Sequence, residues 1–153
     1  EMTASDFGIV VITNQPAAAK GKTTRANLDA VHSKIIAKCE SAGGKIIKSY
    51  ICFHRAEDAC ECRKPKPTML LQAFRDFPEF PPALSWMVGD SITDVEAAKR
   101  AGIRSAFLGS DKCDTCRILH DRELTPTFRA KDLAEFWKTI RKVSEGSIKS
   151  SVD

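Results

Sequence analysis

The sequence has no long apolar run. Its most apolar stretches, Phe7 to Ile12 and Trp86 to Val88 among them, are short. None approaches the roughly 18 residues that a membrane-spanning helix needs, which excludes a transmembrane reading. Glycine and proline are sparse, at 8 and 7 residues, while 42% of the chain is apolar and 29% charged. Disordered, collagen-like and low-complexity chains are excluded by that balance. Aromatic residues make up only 7% and do not interleave with the basic ones, against a stacking platform for single-stranded nucleic acid. Charge of one sign is also lacking: 24 basic against 20 acidic residues leave +4. That excess eases the approach of an anionic ligand without forming the concentrated basic face of a DNA-binding protein. The first residues, Glu1 to Asp6, have neither the basic nor the apolar region of a secretion signal. No membrane or nucleic-acid partner is expected.

What the chain does have is enough residues for about one domain, 153, and six cysteines. The cysteines are Cys39, Cys52, Cys60, Cys62, Cys113 and Cys116. With no secretion signal and a chain long enough to bury its own core, reduced thiols or a metal site are expected rather than disulfides. The expected compartment is the cytoplasm.

Strand-like and helix-like segments alternate. Phe7 to Thr13 is a compact, β-branched run that reads as a buried strand, closed by the turn signal Thr13-Asn14-Gln15-Pro16. From about Thr24, Leu28, Val31, Ile35 and Cys39 recur at helical spacing until Gly43-Gly44. Lys45 to Ile51 reads as a second strand, followed by a loop from Cys52 to Pro67. A helix begins near Pro67, and Ser85 to Val88 reads as a third strand closed by Gly89-Asp90. Asp94 to Ala101 reads as a helix, Arg104 to Leu108 as a fourth strand, and Leu133, Phe136, Trp137 and Ile140 mark a last amphipathic helix. The fold class expected is α/β, a parallel Rossmann-like sheet with helices on both faces. One domain is expected over 1–143, with a polar tail from Ser144. In such folds ligands bind at the carboxyl ends of the strands. Thr13-Asn14, the loop from Cys52 and Gly89-Asp90 all fall there.

Cys52-x-His54-x5-Cys60-x-Cys62 puts four soft-metal ligands in one short polar loop. Three thiolates and an imidazole make a closed tetrahedral zinc set, which points to a structural metal because a catalytic zinc keeps a position open. The alternative is unrelated buried thiols beside a surface histidine. Cys113-x2-Cys116, with His120 nearby, reads as a second half-site, a redox pair or an incidental pairing.

Asp90 and Asp94 flank a strand-to-helix turn, where two carboxylates can approach a hard cation, with Asp90 as the direct magnesium ligand. The alternative is a helix cap and a turn aspartate. Thr13-Asn14 offers a hydroxyl and amides to a phosphate, or makes an ordinary turn. Arg63-Lys64-Pro65-Lys66-Pro67 places three cations after the last cysteine of the loop, stiffened by proline. Lys20 and Lys22 add charge at the same sheet edge.

Together these residues resemble the haloacid dehalogenase (HAD) superfamily of phosphatases, in the zinc-containing branch of heptose bisphosphate and histidinol-phosphate phosphatases. Val10-Val11-Ile12-Thr13-Asn14-Gln15 resembles the second motif of that family. Cys52-x-His54 with Cys60-x-Cys62-Arg63-Lys64-Pro65 resembles its zinc loop and third motif, and Met87-Val88-Gly89-Asp90-x3-Asp94 its fourth. The resemblance covers about Phe7 to Leu108. It implies phosphoryl transfer through an aspartyl-phosphate, assisted by magnesium and cationic side chains.

Carried over residue by residue, the resemblance makes Thr13 and Lys64 catalytic. Asn14 and Arg63 would bind substrate. Cys52, His54, Cys60 and Cys62 would hold zinc, and Asp90 magnesium. The partner it implies is a small phosphorylated metabolite: heptose bisphosphate first, histidinol phosphate second. Of oligomeric states, which the sequence does not fix, a monomer is favoured. Two departures qualify it. The family's Asp-x-Asp nucleophile motif is nowhere in the sequence, so the expectation is a preceding segment that carries it, the alternative being a non-catalytic zinc-stabilised binding module. And Ser91 stands where the heptose branch usually has lysine.

Overall fold

The computed structural model describes residues 7–109 and 123–149, the last eight of these as backbone alone. It divides into two compact units, Glu1–Pro82 and Ala83–Asp153.

In the first unit β1 (Val10–Asn14) and β2 (Lys48–Cys52) pair in parallel, with Thr13 opposite Ile51 and Asn14 opposite Cys52. Gln15 N–H adds a further bond to the Cys52 carbonyl at 2.7 Å. Parallel pairing needs a crossover, and α1 (Arg25–Ser41) supplies it. Its start follows from Thr24, whose Oγ1 accepts the Asn27 N–H at 3.1 Å and so satisfies one of the orphan donors of the first turn. α2 (Thr68–Asp76) buries Met69, Leu70 and Ala73, an i, i+1, i+4 stripe. The expected helical face of α1 is helical but not a core face. Val31 and Ile35 are exposed, and the helix has no buried residue. Its apolar stripe is too thinly spread among charges to compel burial.

In the second unit β3 (Trp86–Gly89), β4 (Arg104–Leu108) and β5 (Phe128–Ala130) form a parallel sheet in that order. α3 (Ile92–Ala101) and α4 (Leu133–Lys149) cover it. Successive residues of a strand face opposite sides. Phe107 therefore packs with Val95 and Leu124 on one side, while Ala106 and Ala130 pack with Phe136 and Ile140 on the other. Trp86 meets Phe136 edge-on, with centroids 5.6 Å apart. α3 ends at Gly102, whose φ of 70° is the left-handed conformation that a helix stop favours. Two features were not expected. β5 is too short to carry an alternation signal, and α4 stays helical to Lys149 where a tail was expected from Ser144. The parallel α/β architecture itself is as expected.

Candidate functional site

Because β1 and β2 run parallel and in register, their carboxyl ends lie side by side. Thr13 and Asn14, the last two residues of β1, and the loop that leaves Cys52 thus share one sheet rim. Cys52 is fully buried at the end of β2. Its Sγ lies 3.7 Å from His54 Nδ1 and 3.7 Å from Cys60 Sγ. Cys60 and Cys62 Sγ are 3.6 Å apart, and His54 Nδ1 is 3.3 Å from Cys62 Sγ. All four ligand atoms lie within 4.8 Å of one another. A tetrahedral zinc with bonds of about 2.3 Å to sulfur has S···S edges of about 3.8 Å, so the thiols already stand close to the spacing such an ion requires. Unrelated buried thiols would not converge in this way; the four residues could hold a metal ion.

The acidities support the same point. Burial opposes ionisation of Cys60, but hydrogen bonds from the Arg63 backbone and from Cys62 and Cys52 outweigh it and draw the thiol below its usual value. Burial, followed by the neighbouring Cys52 and Cys60, pushes Cys62 up to about 12. Cys60 is thus the readier thiolate and Cys62 the more reluctant one, and a bound cation would favour ionisation of both.

The loop is polar and is held by local clips. Asp58 accepts the Arg55 backbone N–H at 2.7 Å and its guanidinium at 2.9 Å, and the Arg55 backbone and side chain hold its carboxyl below the usual range. Thr68 Oγ1 donates to the Glu61 carbonyl at 2.7 Å, and Lys66 Nζ meets the Glu61 carboxylate at 2.7 Å. Between these clips runs Arg63-Lys64. Arg63 Nη1 donates to the His54 carbonyl at 2.9 Å. Lys64 is buried, at 8% exposure, and its Nζ donates to the Ile12 carbonyl at 2.8 Å. The Lys64 N–H donates to Asn14 Oδ1 at 3.0 Å, and Asn14 Nδ2 donates to the Lys64 carbonyl at 3.0 Å. In the first unit the structure thus brings Thr13, Asn14, Arg63, Lys64 and the four metal-ligand candidates to one rim. Lys20 and Lys22 are exposed in the turn after β1.

In the second unit Asp90 is exposed at the tip of β3, and Asp94 is buried. Of the two roles open to Asp94, the geometry displays the cap. Its Oδ2 accepts the Ser91 N–H at 3.1 Å, while Ser91 Oγ accepts the Thr93 N–H at 3.3 Å. This reciprocal capping box starts α3 and shapes the turn that carries Asp90. A side chain at Gly89 would run into the Asp94 carboxylate, so the close approach needs glycine. Cys113, Cys116 and His120 lie outside the described residues.

Sequence reasoning missed the Asn14–Lys64 clamp and the Glu61 clip. Fifty residues separate Asn14 from Lys64, and no local spacing signals such a pair.

A HAD-hydrolase-like family profile matches residues 61–136. A D-glycero-beta-D-manno-heptose-1,7-bisphosphate 7-phosphatase of Neisseria meningitidis serogroup A is 32% identical over 123 residues, 80% of this chain and 65% of the relative. The histidine biosynthesis bifunctional protein HisB of Actinobacillus pleuropneumoniae is 31% identical over 146 residues, 95% of this chain and 40% of that protein. The chain therefore spans 40% and 65% of the length of these two curated relatives. Among solved structures, D,D-heptose 1,7-bisphosphate phosphatase from B. bronchiseptica, complexed with magnesium and phosphate, superposes with a TM-score of 0.81 at 30% identity. That match covers 92% of this chain and 78% of that one. On this identity and coverage, and with the parallel α/β fold expected of it, the chain belongs to the haloacid dehalogenase-like (HAD-like) hydrolase family.

Proposed function

We propose that this protein is a magnesium-dependent phosphatase acting on a phosphate monoester of a small sugar-like metabolite, with D-glycero-D-manno-heptose 1,7-bisphosphate, cleaved at its 7-phosphate, as the substrate. The observation that carries the reading is buried Lys64. It follows the four metal-ligand candidates directly and is tied through Nζ to the Ile12 carbonyl, one residue before Thr13 on β1. A buried ammonium at the carboxyl rim of a parallel sheet is suited to a phosphoryl group. The similarity to heptose bisphosphate phosphatases supports the choice of substrate.

In this reading the Thr13 hydroxyl donates to an oxygen of the transferring phosphoryl group. Lys64 neutralises charge on that group and on its attacker. Arg63, with one guanidinium nitrogen on the His54 carbonyl, offers the rest of its fork to the second anionic end of a bisphosphate. Asp90 is the magnesium ligand, and magnesium, when bound, supplies charge neutralisation at the phosphoryl oxygens. Cys52, His54, Cys60 and Cys62 form a closed set for a structural zinc. The aspartate that attacks phosphorus is assigned to sequence outside these 153 residues, which contain no Asp-x-Asp. The setting read for the enzyme is a cytoplasmic monomer.

Phosphate release by the full-length protein, measured with magnesium across a panel of phosphate monoesters, tests the reading. Heptose bisphosphate is expected to turn over fastest. Faster turnover of histidinol phosphate would favour the reading that similarity to the histidine-biosynthesis protein supports. No release from any ester would favour a zinc-stabilised binding module, the reading that the missing Asp-x-Asp supports.

A further inference from the structure

Asn14 sits beside Thr13, in the position where a substrate contact is expected, yet both polar atoms of its carboxamide are engaged with the protein. Oδ1 accepts the Lys64 N–H at 3.0 Å, and Nδ2 donates to the Lys64 carbonyl at 3.0 Å. A carboxamide that accepts from the N–H and donates to the C=O of one residue mimics a strand partner and fixes that residue's backbone in two places. The Lys64 Nζ bond to the Ile12 carbonyl, at 2.8 Å, makes a third point on the same strand. Alternation along β1 sends the Thr13 and Asn14 side chains to opposite faces. If Thr13 faces a phosphoryl group, Asn14 faces away from it and toward the loop.

We propose that Asn14 is a positioning residue: it clamps the Lys64 backbone to the end of β1, so that the ammonium arrives from the metal-ligand loop at a fixed distance from Thr13, and it does not itself bind substrate. This rests on the phosphatase reading and assigns a different task to one of its residues. The chemistry explains why an amide stands here. A carboxylate accepts only and would face the Lys64 carbonyl without a proton to share. A hydroxyl is too short to span both backbone groups of Lys64. The clamp couples two chain segments that no secondary structure joins, the end of β1 and the part of the loop that follows Cys62.

The test is a double-mutant cycle in the full-length protein, read alongside amide hydrogen exchange. Asn14→Ala is expected to lower kcat by about 10- to 100-fold, the cost of a misplaced catalytic group. The substrate KM and the inhibition constant of inorganic phosphate should move by less than about threefold, because no substrate contact is removed. In a Lys64→Ala background the same substitution should cost almost nothing further. The Lys64 amide should exchange at least about tenfold faster in Asn14→Ala, while amides of the β1–β2 ladder keep their protection. Should Asn14→Ala not fold, Asn14→Asp keeps the shape and the acceptor but sets a charged oxygen against the Lys64 carbonyl; it should lower kcat in the same direction and likewise speed exchange of the Lys64 amide.

Losses that multiply in the double mutant, or a phosphate inhibition constant that rises in step with the loss, would overturn the clamp and make Asn14 a substrate ligand. Unchanged exchange at Lys64 would overturn it too. A wild-type protein that turns over no ester overturns the phosphatase reading and the proposal with it. A working enzyme with multiplying losses overturns the proposal alone.

Discussion

Lys64 and Lys66 stand two positions apart in one basic run, and their surroundings give them unlike consequences. Lys64 is buried with its Nζ on a strand carbonyl, whereas Lys66 is paired at the surface with Glu61, itself largely exposed. Lys64→Ala should lower turnover of the full-length protein by about 100-fold or more, the scale of a lost electrostatic donor. Lys66→Ala removes an exposed pair worth about 0–1 kcal/mol and should leave kcat nearly unchanged. The reverse ranking in steady-state assays would mean the wrong lysine has been assigned. Asp94 makes a second residue-level case. Its carboxylate closes the capping box with Ser91 and lies against Gly89. Asp94→Ala should lower stability by about 1–2 kcal/mol, read from urea unfolding, through loss of the cap. The convergence of Cys52, His54, Cys60 and Cys62 was legible in the sequence, since four such side chains within one short polar loop need only a local turn to meet. The roles of Asn14 and Asp94 were not legible. Spacing cannot tell whether a carboxamide or carboxylate faces a ligand or the protein's own backbone.

Among the elements, the helices divide by what they cover. Phe136 of α4 packs against Trp86 and Phe128 and is buried over Ala106 and Ala130. Phe136→Ala should cost about 3–5 kcal/mol, the range for truncating a buried aromatic. Val31→Ala or Ile35→Ala on α1 should stay within about 0.5 kcal/mol, because both side chains are exposed. Equal losses from α1 and α4 in chemical denaturation would contradict this division. The contrast also shows what periodicity reports. The helical recurrence of Leu28, Val31, Ile35 and Cys39 correctly signalled α1, because helix formation is local. Whether a neighbour covers the stripe is a tertiary fact that recurrence cannot carry. β1, β3 and β4 were legible as compact apolar or β-branched runs between turns and β2 as a loose alternation, although β1 is half-buried throughout rather than the buried strand expected. β5 was not, for three residues are fewer than two periods of the alternation that identifies a strand.

At the scale of the molecule, two conditions should move stability as a whole. Removing metal is the first. Three thiols at van der Waals spacing are held in a loop that otherwise rests on polar clips, so zinc is expected at about one per chain, and its removal by a chelator should lower the melting temperature. Cys60→Ser should start from that lowered value and show no further drop with chelator. Acidity is the second, and it acts through a different cluster. Asp76 at the end of α2 accepts Lys48 Nζ at 2.6 Å, Tyr50 OH at 2.7 Å and Gln72 Nε2 at 2.6 Å, tying β2 to α2. The Lys48, Tyr50 and Gln72 donors lower the Asp76 carboxyl to about 2. A carboxyl more acidic in the folded state stabilises above its unfolded value near 3.9 and loses that contribution as pH falls toward 2. Burial, then the hydrogen bond to and the charge of Asp76, raise Tyr50 to about 12. A phenol less acidic in the folded state stabilises below about 10 and loses that contribution as pH rises toward 12. Melting temperature against pH should therefore carry a shoulder at each end from one cluster. Asp76→Asn should flatten the acid shoulder and shrink the alkaline one, because it removes the charge that burdens the phenolate. Tyr50→Phe should abolish only its share of the alkaline shoulder while leaving most of the acid one, since Lys48 still holds the carboxylate. Melting curves of both variants that merely run parallel to wild type would place the origin of the two shoulders elsewhere.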